Sequence, residues 1–122
     1  MKKILIVDDD PNIRLLFAEI LKMDGFEIAT ASTGTKALQS VLEDHFNLLI
    51  LDIKMPGIHG LEILRRLREK GRNLPIIICS AFEGMQDDFS IKSYGISDYL
   101  VKPVDLKLLS ASVKKALAKD VI

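Results

Sequence analysis

The chain has 122 residues, the size of one ordinary domain, and nearly half of them are apolar, enough for a real core. Seventeen basic residues balance seventeen acidic ones, so nothing in the total charge points to direct nucleic acid binding or to a membrane surface. The lone Cys79 excludes an internal disulfide and fits a reducing, cytoplasmic setting, and the short apolar run behind Met1-Lys2-Lys3 cannot serve as a signal peptide or a spanning segment.

The run Ile4-Leu5-Ile6-Val7 reads as a strand and ends in Asp8-Asp9. Asp10 is a good N-cap and Pro11 suits the first helical position, so a helix starts there. Ile13, Leu16, Phe17, Ile20 and Leu21 give it one apolar stripe, and Gly25 ends it. Phe26 to Ala29 alternates like a strand with one wetter face. Ala37, Leu38, Val41 and Leu42 mark a second helix. Leu48-Leu49-Ile50-Leu51 is a wholly apolar strand closed by Asp52, and Pro56-Gly57 signals a turn between Lys54 and His59. Ile63, Leu64 and Leu67 mark a third helix that ends near Gly71. Ile76-Ile77-Ile78-Cys79 is again wholly apolar and leads into Ser80. A weaker helical segment covers Asp87 to Tyr94, and Gly95 closes it. Ser97 to Val101 is a short strand leading into Lys102. The last helix begins at Asp105, with Leu109, Val113, Ala116 and Leu117 inward.

Strict alternation of strand and helix implies a parallel sheet covered on both faces. The first, third and fourth strands are apolar throughout and therefore central; the second and fifth are mixed and therefore edges. Right-handed crossovers then give the order 2-1-3-4-5, a flavodoxin-like doubly wound (βα)5 fold of class α/β. In that order the first and third strands are neighbours at the topological switch point, so Asp9 and Asp52 line one crevice at their carboxyl ends.

Three carboxylates gathered there, Asp8, Asp9 and Asp52, crowd like charge and are expected to oppose folding unless a cation joins them. Hard oxygen donors without a neighbouring His or Cys suit Mg2+ or Mn2+ over Zn2+. Lys102 brings a fixed positive charge, and Ser80 offers a hydroxyl to a phosphoryl oxygen. A metal and an ammonium flanking one carboxylate prepare phosphoryl transfer to it. Asp52, alone on its central strand, is the best nucleophile; Asp8 and Asp9 are better placed to hold metal.

At Ile4–Asp9, Leu51–Gly57, Ser80-Ala81 and Asp98–Pro103 the chain resembles the receiver domain of two-component response regulators, in order and over its whole length. Within that family it is similar to the single-domain chemotaxis and sporulation-phosphorelay regulators. The resemblance implies that Asp52 accepts a phosphoryl group from a phosphohistidine on a sensor histidine kinase or histidine phosphotransfer protein. It implies Mg2+ on Asp9, Asp52 and the Lys54 carbonyl, with Asp8 helping through water. Ser80 and Tyr99 would form the switch pair, Lys102 would pair with the phosphate, and the Lys102-Pro103 bond would be cis. The implied protein is a signalling switch with a downstream effector protein, not a turnover enzyme, although it promotes its own phosphorylation and dephosphorylation. Lys54 and Phe82 occupy variable positions that tune phosphate lifetime. His59 stands where an Asp often caps the following helix, and His is a poorer cap, so the start of that helix is expected to be looser.

On phosphorylation, Ser80 is expected to move toward the phosphoryl oxygens and Tyr99 to turn inward, remodelling the surface of the fourth helix, fifth strand and fifth helix. The fourth helix has the weakest apolar pattern, with Gly84 and Asp87-Asp88 near its start. Ile13, Leu16 and Phe17 lie near the site mouth and are candidates to dock the phosphodonor. Cys79 reads as core, and His45 and His59 as surface. Residues 1–122 read as one receiver unit with no output domain. The alternatives are a receiver excised from a longer DNA-binding or enzymatic regulator, a metal-dependent phosphatase with an aspartyl nucleophile, and a flavodoxin-like cofactor binder. Lys54 stands where such a phosphatase carries its general acid, and no glycine-rich phosphate loop follows the first strand.

Overall fold

The computed structural model describes residues 1–53, 59–81 and 89–118. The elements alternate as the sequence pattern requires: β1 Lys3–Val7, α1 Pro11–Met23, β2 Glu27–Ala31, α2 Gly34–Glu43, β3 Leu48–Leu51, α3 Gly60–Glu69, β4 Ile76–Ser80, α4 Phe89–Ser93, β5 Asp98–Val101 and α5 Leu106–Ala118. All neighbouring strands pair in parallel, in the order β2-β1-β3-β4-β5. The apolar strands are the central ones, because each faces helices on both sides and has no wet face to supply.

Alternate residues of these strands feed two cores. Leu5, Val7, Leu49, Leu51, Ile76 and Ile78 pack with α2, α3 and Ile91 of α4. Ile4, Ile6, Leu48, Ile50, Ile77 and Cys79 pack with α1 and α5. The helices are seated by their own sequences. Asp10 Oδ1 accepts the Asn12 N–H at 2.8 Å at the start of α1, and Asp105 Oδ1 accepts the Lys107 N–H at 2.8 Å at the start of α5. Gly25, Gly71 and Gly95 take positive φ just after α1, α3 and α4, where a side chain would be strained. Among the described residues no helix is long and apolar enough to cross a membrane.

Two expected core positions are instead exposed: Leu16 at 46% and Leu42 at 45%. In α1 the buried residues are Phe17, Ala18 and Leu21, so the helix is rolled toward small Ala18 and away from Leu16. In α2 the buried face is Gly34, Ala37, Leu38 and Val41, which leaves Leu42 at its margin. The turn expected around Pro56-Gly57, together with Gly84 and Asp87-Asp88, lies outside the described residues.

Leu49→Ala, which opens a cavity on the fully buried centre of the sheet, is expected to cost about 3 kcal/mol in urea unfolding. Leu16→Ala on the exposed side of α1 is expected to cost about 0.5 kcal/mol or less.

Candidate phosphoacceptor and metal site

Asp8, Asp52 and Lys102 each stand one residue past the end of a strand, yet their backbones still belong to the sheet. The Asp8 N–H donates to the Ala31 carbonyl at 3.2 Å, the Asp52 N–H to the Val7 carbonyl at 3.0 Å, and the Lys102 N–H to the Ser80 carbonyl at 2.8 Å. The side chains are thereby fixed by the ladder and not by a loose loop. Asp8 and Asp52 are buried at 2% and 6% exposure, Ser80 is fully buried, and Asp9 faces solvent.

Carboxylate oxygens of Asp8, Asp9 and Asp52 all lie within 4.8 Å of one another. The Lys102 ammonium joins two of these acids, donating to Asp8 Oδ2 at 2.7 Å and to Asp52 Oδ2 at 3.1 Å. Burial alone would lower the Lys102 pKa; the hydrogen bonds to Asp8 and Asp52 outweigh it and hold the pKa above the ordinary lysine value. Asp8 is engaged on both sides, since its Oδ1 also accepts the Asp10 N–H at 2.9 Å and so turns the chain into α1. The donor set is three carboxylates without His or Cys, which fits a hard divalent cation of the Mg2+ type.

On the same edge, Ser80 ends β4 and hydrogen-bonds with the Tyr99 side chain. Burial pushes the Tyr99 phenol up, with the Ser80 bond opposing. The ring packs partly buried against the core under α3 and α4. Ser80 and Tyr99 are thus in contact, and Lys102 and Asp52 complete one cluster of the expected residues. The Lys102-Pro103 peptide is cis. Lys54 and Phe82, expected as a metal-carbonyl donor and as lifetime-tuning positions, lie outside the described residues.

Cys79 points to the other face, and burial raises its thiol to about 12, which makes it an inert core residue. His45 and His59 are exposed, and His59 Nδ1 caps α3 by accepting the Leu61 N–H at 3.2 Å. A cavity of about 340 Å³ opens at the opposite edge of the sheet, lined by residues such as Phe46, Asn47, Leu74 and Pro75. It contains none of the clustered acids, and the chemistry, not the cavity, locates the site.

Two residues of the site escaped the sequence reading. Arg14 donates from Nη1 to the Asp8 carbonyl at 2.7 Å and pins the peptide between the first two acids. The available signal was its place one turn into α1, since long side chains in a helix reach back toward its N-terminus. Gly60 opens α3 directly against the strand end: a Cβ there would lie 2.5 Å from the Asp52 carbonyl oxygen and 2.6 Å from Ile53 Cα. Its N–H donates to the Ile53 carbonyl at 2.8 Å. Space, not an unusual φ, demands glycine at this position.

A family model described as the response regulator receiver domain matches residues 4–114. Sporulation initiation phosphotransferase F of Bacillus subtilis is 35% identical over 116 residues, which take in 95% of this chain and 94% of the relative. The transcriptional regulatory protein PrrA of Mycobacterium tuberculosis is 36% identical over 117 residues, covering 96% of this chain and 50% of the relative. The chain spans about half the length of PrrA and of the uncharacterised regulator YkoG of Bacillus subtilis. Among solved structures, the response regulator TrrA of Thermotoga maritima, in complex with Mg2+ and BeF, superposes with a TM-score of 0.87 at 43% identity, covering 96% of this chain and all of that one. A receiver domain from Methanospirillum hungatei superposes with a TM-score of 0.91 at 29% identity, covering 98% of this chain and 95% of that one.

Lys102→Met leaves Asp8 and Asp52 buried without their cation, and is expected to cost about 2 kcal/mol at pH 7, reduced from a fully buried loss because Lys102 keeps some contact with water. Because the folded pKa of Lys102 is raised, its stabilisation is complete below the ordinary lysine range and disappears as pH rises through the elevated value. Urea midpoints of wild type and variant at pH 7 and at pH 11 or above test this: the gap closes at the higher pH. Gly60→Ala is expected to cost about 1–3 kcal/mol by the same measurement, since the backbone of residues 52 and 53 must shift.

Proposed function

We propose, on the premise that this chain belongs to the response regulator receiver domain family, that Asp52 is its phosphoacceptor. An Asp52 carboxylate oxygen attacks the phosphorus of a phosphohistidine; the O–P bond forms as the N–P bond breaks, and the imidazole leaves. The observation that carries this reading is the Lys102 ammonium held between Asp8 and Asp52, with a third acid within reach. Lys102 draws in the incoming phosphoryl oxygens, and Ser80 offers its hydroxyl from the adjoining strand end. Asp9 and Asp52, with the Lys54 carbonyl by family resemblance and Asp8 through water, would hold Mg2+, which supplies neutralisation of the phosphoryl charge. The same oxygen donors suit Mn2+. Lys54 and Phe82 are assigned the tuning of phosphate lifetime from the resemblance.

The phosphodonor is a sensor histidine kinase or a histidine phosphotransfer protein. Of the apolar residues near the mouth, Phe17 is buried and Ile13 half-buried, which leaves Leu16 and its neighbour Leu15, 61% exposed, as the docking surface. The output is a changed surface of α4, β5 and α5, offered to an effector protein. The hydrogen bond between Ser80 and Tyr99 supports this route: when Ser80 turns to the phosphoryl group, the tyrosine loses a partner and resettles. The chain is a switch, not a turnover enzyme. The buried, unreactive Cys79 suits the cytoplasm.

Incubation with acetyl phosphate and Mg2+, followed by intact mass measurement, is expected to show one added phosphoryl group on wild type. Asp52→Asn, or wild type in EDTA, is expected to show none. Equal uptake by Asp52→Asn would place the acceptor elsewhere.

A further inference from the structure

Arg68, in the last turn of α3, is far along its helix from the acids, and its guanidinium contacts are unusual. It donates to four backbone carbonyls: Nε to Tyr94 at 2.7 Å, Nη2 to Gly95 at 3.1 Å, and Nη1 to Arg72 at 2.7 Å and Leu74 at 3.0 Å. No carboxylate pairs with it among the described residues. Two of these carbonyls lie just past the end of α4, in the turn toward β5; the other two belong to the connection between α3 and β4. One planar cation therefore ties the C-terminal end of α4 to the segment that leads into a central strand. Carbonyls in the turn after a helix need partners, and hydrogen bonds from a charged, planar donor are among the strong ones.

The neighbouring backbone reinforces the tie. Tyr94 and Gly95 N–H groups close the end of α4 on the Ile91 and Lys92 carbonyls, and the Ser97 N–H donates to the Ile76 carbonyl at 2.8 Å. In a parallel sheet each crossover helix runs back against the strands. The start of α4 therefore lies toward the edge that carries Asp52 and Ser80, and its end lies at the far edge beside Arg68.

We infer that Arg68 is a positioning residue that fixes the far end of α4 and makes that end the pivot about which the helix moves when the phosphoacceptor site is loaded. This rests on the receiver reading for the loading event, but the anchor itself belongs to the unliganded protein. Motion then enters α4 at the site end and is absorbed before the connection to β5. Without the tie, the displacement spreads to residues 94–97, and the helix end loosens even when the site is empty.

Amide hydrogen exchange and amide chemical shifts, read by NMR on the full chain, test the inference. In unliganded Arg68→Met, exchange at Gly95 and Ser97 is expected to rise about tenfold or more, because hydrogen bonds from a charged donor are lost. Arg68→Lys keeps the charge but not the fork, and is expected to fall between; it also serves if the methionine variant does not fold. On adding Mg2+ and beryllofluoride, wild type is expected to shift at residues 89–91 and Tyr99 and to stay nearly still at Gly95 and Ser97. The methionine variant is expected to shift at all of them. Unchanged exchange at Gly95 and Ser97 in both variants would overturn the anchor. Wild-type shifts at Gly95 and Ser97 as large as those at 89–91 would overturn the pivot. Acetyl phosphate uptake is expected to be equal in wild type and Arg68→Met; failure of uptake in wild type would count against the receiver reading and leave the exchange result intact.

Discussion

One ammonium between two buried carboxylates organises this molecule. The sheet delivers Asp8 and Asp52 to adjacent strand ends, where their charges repel in a place with little water. Lys102 arrives from the far edge strand and bonds both. The arrangement is stable enough to fold and still two positive charges short, since Asp9 adds a third carboxylate to the two that share one ammonium. A folded protein that keeps an electrostatic deficit at its surface has prepared a place for a cation, and for the anionic group that a cation attracts.

The same strand ends link this deficit to the rest of the fold. Lys102 leaves β5 three residues after Tyr99, and Tyr99 shares a hydrogen bond with Ser80 on β4. Reorienting Ser80 alters the partner of a side chain on the neighbouring strand with no backbone displacement needed to begin the change. Such pairs are bistable, because packed cores admit discrete arrangements and not a continuum. In the same core Ile91 of α4 is fully buried, and Arg68 of α3 bonds the carbonyls just past the end of α4.

The sequence was most informative where burial is two-sided. β1, β3 and β4 need apolar residues at every position, so each polar residue that interrupts them marks a strand end. That is why Asp8, Asp52 and Ser80 could be read, and why topology brought the acids together; Lys102, after the mixed edge strand β5, was read from its place at a matching strand end. Helices were less legible in rotation than in extent. Apolar periodicity located α1 and α2, but Leu16 and Leu42 sit at the margins of their stripes, where small neighbours such as Ala18 decide which way the helix rolls. Residues that act on backbone escaped notice. Arg14 and Arg68 bind carbonyl oxygens, and Gly60 leaves room for one. Every residue offers a carbonyl, so such partnerships leave no pattern in composition or spacing. His59 was read as a weak cap; its imidazole Nδ1 takes the place of a carboxylate and accepts the Leu61 N–H at the start of α3.

The uneven burial of the three acids has one more effect. Asp8 and Asp52 are walled in, whereas Asp9 stands at the solvent boundary. An ion held by the three acids would therefore have buried ligands on one side and, at Asp9, a ligand that also meets water. Such an ion would keep part of its hydration, as Mg2+ commonly does, and the exposed acid would tie its binding to the surrounding solution.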